Sequence, residues 1–66
     1  MMVPPGLLVR VVAPHFVAGM IVDPDTDRVV YAAPILAWAK GMQRDKLRQS
    51  LIRLGWRASI VRDLPP

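Results

Sequence analysis

From Leu7 to Val22 the chain is a long apolar run, and the way that run is broken constrains the rest of the fold. Arg10, Pro14, His15 and Gly19 interrupt it. A membrane span needs about 20 mostly apolar residues. A secretory leader needs a basic start and an unbroken apolar stretch. The run meets neither requirement, so it predicts two buried strands in a cytoplasmic protein with no membrane partner. Leu7-Leu8-Val9-Arg10-Val11-Val12-Ala13 is rich in β-branched residues and stops at Pro14. Phe16 to Val22 is the second strand, with Gly19 marking a bulge or a close backbone approach.

Asp23-Pro24-Asp25-Thr26-Asp27 reads as a turn, because proline presets one φ and aspartate side chains bond nearby N–H groups. Arg28 to Ala32 resumes as a strand, which makes 16–32 a hairpin. Pro34 suits a first helical position, and Ile35, Trp38, Ala39 and Met42 recur at helical spacing. Leu47, Leu51 and Leu54 form a separate core-facing stripe that a straight helix through Gly41 would point away from Met42. Two helices with a break near Gly41 resolve that conflict. Gly55 suits a left-handed helix cap, Trp56 folds back on the last turn, and Ala58 to Arg62 alternates as a final strand. The expectation is an α+β fold in the order β-β-β-α-α-β, an antiparallel sheet of three to four strands with two helices packed on one face.

Sixty-six residues make a single domain, 1–66, with 1–6 and 63–66 expected as short flexible ends. A chain this short buries only about 60% of the surface it exposes when unfolded. Its 53% hydrophobic and 21% charged residues are the composition of a folding chain. It has no cysteine, so neither a disulfide nor a thiolate–metal staple is available.

Catalysis has few groups to draw on. His15 is the sole histidine, and Thr26, Tyr31, Ser50 and Ser59 lie in scattered contexts, whereas acid–base work needs a base within reach of a nucleophile. Asp23, Asp25 and Asp27 occupy positions 1, 3 and 5 of a nominal calcium loop, but Arg28 and Pro34 stand where glycine and a bidentate acid belong. There is no phosphate-binding glycine loop, zinc-ligand spacing or dinucleotide fingerprint. The expectation is no catalytic residue, no metal and no cofactor.

Charge is uneven. Residues 40–62 hold seven Lys and Arg against Asp45 alone, a local +6, while 1–39 carry −1. Such a surface favours an acidic protein, nucleic acid or anionic lipid. On the second helix Arg44 and Arg48 flank one side of the leucine stripe, Lys46 and Arg53 the other, and Ile52 falls on the outer face beside Asp45. Arg44, Lys46, Arg48, Ile52, Arg53 and Arg57 are therefore the expected partner-binding residues. A nucleic-acid reading would use Arg44, Arg48, Arg53, Arg57 and Arg62 on phosphates and Trp56 as a stacking platform, against a core role for Trp56. The leucine stripe is too narrow and too poor in aromatics for a membrane-surface helix.

Ala13-Pro14-His15-Phe16-Val17-Ala18-Gly19, with Ala32-Ala33-Pro34-Ile35-Leu36 and the Leu51-to-Trp56 ending, resembles small bacteriophage and prophage proteins. The resemblance spans residues 10–62 and carries no assigned activity. Small phage proteins without enzyme motifs are often inhibitors of host defence, with anti-CRISPR proteins the best-known case. It implies an inhibitor in the bacterial host cytoplasm, docking through basic groups on a host protein with an acidic or nucleic-acid-binding surface. A small basic nucleic-acid-binding accessory protein is the alternative, and an assembly protein that pairs through an exposed sheet edge is a third.

Overall fold

The computed structural model describes residues 5–64, with 63 and 64 as backbone alone. Four strands, β1 (Gly6–Ala13), β2 (Phe16–Asp23), β3 (Arg28–Ala32) and β4 (Arg57–Leu64), form one antiparallel sheet in the order β3-β2-β1-β4. One α-helix, α1 (Arg44–Leu54), and a 3-10 helix (Pro34–Ala39) complete the α+β fold. The sheet begins at Gly6 and runs to Leu64, so Gly6 and residues 63–64 of the expected ends fall within strands. The expected flexible ends 1–4 and 65–66 lie outside the described residues.

β1 and β2 pair from Leu7↔Val22 to Ala13↔Phe16, which leaves Pro14-His15 as a two-residue turn. The next turn, 23–28, closes through Asp27 N–H donating to the Asp23 carbonyl at 2.8 Å. The Asp23 carboxylate accepts from Asp25 N–H at 2.9 Å, the local bond expected of a turn aspartate. Two bulges interrupt the ladders, with Val61 extra opposite the Leu8/Val9 step and Val30 extra opposite the Ile21/Val22 step.

Alternation sets the core. Val11, Met20, Val22 and Val29 on one sheet face bury against Leu36, Ala39, Leu47 and Leu51. Of the two expected helices, only the second is α-helical. Pro34–Ala39 is 3-10, kinked at Leu36 (φ −111°, ψ 18°). It buries Leu36 and Ala39, three residues apart as a three-residue turn requires, while Ile35 and Trp38 stay largely exposed. The cause is the backbone just beyond it, where Gly41 (φ 87°) turns the chain back along β3. There Gly41 N–H donates to the Val29 carbonyl at 2.8 Å, Val29 N–H to that of Met42 at 3.0 Å, and Arg28 Nη1 to that of Gly41 at 3.0 Å. A longer α-helix would forfeit those bonds.

α1 carries Asp45 in its first turn and Arg53 in its last, each matched to the helix dipole. It ends in a Schellman turn. Gly55 is left-handed (φ 75°), its N–H donates to the Ile52 carbonyl at 3.0 Å, and Trp56 N–H donates to that of Leu51 at 3.0 Å. Leu47 and Leu51 are buried as the stripe predicts, but Leu54, in the final turn beside the exposed cap, is half exposed.

Candidate interaction surfaces

Leu47 and Leu51 of α1 bury against Val11, Met20, Val22 and Val29 of β1–β3, whereas every side chain from Arg57 to Arg62 on β4 is exposed. A cleft of about 560 Å³ therefore opens between α1 and β4. Leu7, Val9, Val22, Leu51, Trp56 and Ile60 contribute its apolar lining, and Arg44, Arg48, Asp27 and Asp45 are its charged residues. Arg44 approaches Asp27 at 3.9 Å, both about half exposed. A pair so exposed contributes little stability, but it leaves the cleft with two cations and two anions.

The six expected partner-binding residues are divided by this geometry. Arg44, Arg48 and Ile52 lie along the cleft. Lys46 and Arg53 sit seven residues apart on α1, nearly two full turns, and both are exposed. Arg57 is elsewhere. It pairs with Val12, whose neighbours Val11 and Ala13 point to the helix side, so Arg57 projects from the opposite face of the sheet.

That opposite face carries a second group of cations. Arg10 pairs with Ser59 and Arg62 with Leu8, which places Arg10, Arg57 and Arg62 on one side of the sheet with the half-buried Leu8 and Val12 and the exposed Val17, while Ile21 on the same side is fully buried. Among the described residues no element packs over this side, and Val17 is 62% exposed. Gly19, lacking a side chain, leaves an apolar depression of about 310 Å³ bordered by Leu8, Arg10, Val17 and Val61. None of the three arginines forms a salt bridge among the described residues. Arg10 appears in neither sequence-based set, and Arg62 only among the phosphate contacts of the nucleic-acid reading. The signal that could have found them was strand parity, which puts Arg10 out of phase with Val9 and Val11.

Residues with chemical potential are spread apart. His15 is at the tip of the β1–β2 turn, Thr26 in the 23–28 turn, Ser50 on α1, Ser59 on β4 and Tyr31 on β3. Trp56 is half buried and stacks edge-on against Phe16 at 5.1 Å, with Trp38 at 6.4 Å. Phe16 and Trp38 pack against it, and its remaining surface lines the cleft. No family model, curated protein or solved structure matches the chain.

Proposed function

We propose that this protein is a non-catalytic binding domain that docks an acidic partner protein on the open face of its sheet. The observation that supports this is the placement of Arg10, Arg57 and Arg62 on one sheet face, around the exposed Val17 and the shallow apolar depression at Gly19. Such a surface combines apolar area for affinity with like charge for steering and partner choice. Protein suits the face better than nucleic acid. Stacking of bases calls for aromatic platforms, and this face offers Tyr31 at its β3 margin and aliphatic side chains elsewhere. Under the resemblance to phage proteins, the domain acts as an inhibitor of the anti-CRISPR type in the host cytoplasm, covering an acidic surface of a host defence protein.

The test is binding of a host protein captured by the wild-type chain, repeated with two double reversals. R10E/R57E abolishes binding under this proposal, and R48E/R53E on α1 leaves it within about twofold. The opposite pattern moves the contact to the helix and overturns the assignment. A gel-shift titration with single-stranded DNA at low and high salt covers the nucleic-acid alternative. A tight, steeply salt-dependent shift that R10E/R57E removes would assign the face to phosphates instead.

A further inference from the structure

The two edges of the sheet are treated differently. The outer edge of β3 is occupied by the returning chain, through the bonds between Val29 and residues 41–42 and through Arg44 N–H donating to the Asp27 carbonyl at 2.7 Å. β4 is the terminal strand at the other end, and among the described residues nothing pairs with its outer side. An open edge of eight residues is a template for another strand. β4 has no proline and no lysine, two common guards of such edges, and only the bulge at Val61 and the arginines at 57 and 62 moderate it.

We infer that a second copy of the chain docks here, β4 pairing antiparallel with its own counterpart about a two-fold axis to give a continuous eight-stranded sheet. Three observations carry this. First, the apolar side chains beside the edge are uncovered on both layers, Ile52 on α1 at 66% and Ile60 on β4 at 55% exposed. The two-fold sets the two open clefts side by side on one face, with Ile60 of each copy beside the seam. Second, the cleft's charges are balanced, Arg44 and Arg48 against Asp27 and Asp45. A second copy therefore meets opposite charge there, whereas stacking two open sheet faces would oppose three arginines with three. Third, the seam is long. Eight residues at about 3.4 Å each span about 27 Å, close to the molecule's longest extent of 31 Å, and a two-fold joint between identical strands satisfies both edges at once. The inference uses the edge and the cleft, not the open face, so it stands or falls separately from the acidic-partner reading.

Sedimentation equilibrium from micromolar to millimolar protein tests it. The expected result is a mass rising from 7.4 kDa towards twice that value, with slower amide exchange along β4 as the dimer fills. I52K and I60K each weaken association at least about tenfold. Both isoleucines are exposed in the single chain, so the variants keep its fold, which circular dichroism checks. Added salt strengthens the dimer, since each copy carries +4. A chain that stays monomeric at every concentration overturns the inference, as does a dimer that survives both lysine variants. Monomers whose β4 amides become protected only when the captured host protein is added would assign the edge to that protein instead.

Discussion

Gly6 and Gly55 both hold positive φ, 145° and 75°, yet the surroundings make them unequal. A Cβ on Gly6 would stand 2.6 Å from the Val22 carbonyl oxygen and 2.8 Å from Ile21 Cγ2, against backbone that cannot yield and a side chain with no exposure. A Cβ on Gly55 would meet nothing within 4 Å. Gly55→Ala therefore costs only the left-handed strain, about 1 kcal/mol. Gly6→Ala adds overpacking to that strain and costs about 3 kcal/mol. Urea melts of the two variants check the order; equal losses would mean that β1 can shift away from β2 at its first residue. Gly55 was legible, because a glycine after a leucine stripe is a cap signal. Gly6 was not, because its constraint comes from Val22, which is distant in sequence and adjacent only through the hairpin register.

At the scale of elements, the leucines of α1 separate core from surface within one stripe. Leu51 is 4% exposed and packs in the cluster with Val11, Met20 and Val22, while Leu54 is 50% exposed. Leu51→Ala leaves a cavity and costs about 3 kcal/mol. Leu54→Ala removes partly solvated surface and costs about 0.5 kcal/mol. In a domain of this size about 1 kcal/mol moves the midpoint by 4–8 °C, so thermal melts separate the two easily. Periodicity marked all three leucines alike, because it sees the angle around the helix axis and not where the sheet beneath it ends. The same limit explains the 3-10 helix. Ile35, Trp38, Ala39 and Met42 fit an α-helical spacing, but the bonds that Gly41 and Met42 make to Val29 set the path and select Leu36 and Ala39 for burial.

At the scale of the molecule, one partly exposed ion pair among the described residues, at 3.9 Å, stands against a net charge of +4. Repulsion among cations outweighs the attraction that screening would remove, so the midpoint rises by about 2–4 °C as salt goes from about 10 mM to about 150 mM. A fall over that range would point to stabilising ion pairs beyond Arg44–Asp27. Binding of an acidic partner moves the other way and weakens over the same interval. No helix among the described residues is long and apolar enough to cross a membrane.

Strand order along the chain, the turn at 23–27, the break at Gly41 and the cap at Gly55 were determined by sequence alone. Each has a local cause: β-branched runs, a proline, an aspartate beside a free N–H, a glycine free to take positive φ. Tertiary structure decided which side of the sheet each arginine occupies. Strand pairing carries Arg57 away from Arg48 and sets it beside Arg10, 47 residues earlier in the chain. It also decided which edge stays open, since that depends on which strand the returning segment 41–44 happens to cover. Charge counted along a chain says how much cation there is; only the pleat and the register say which way it points.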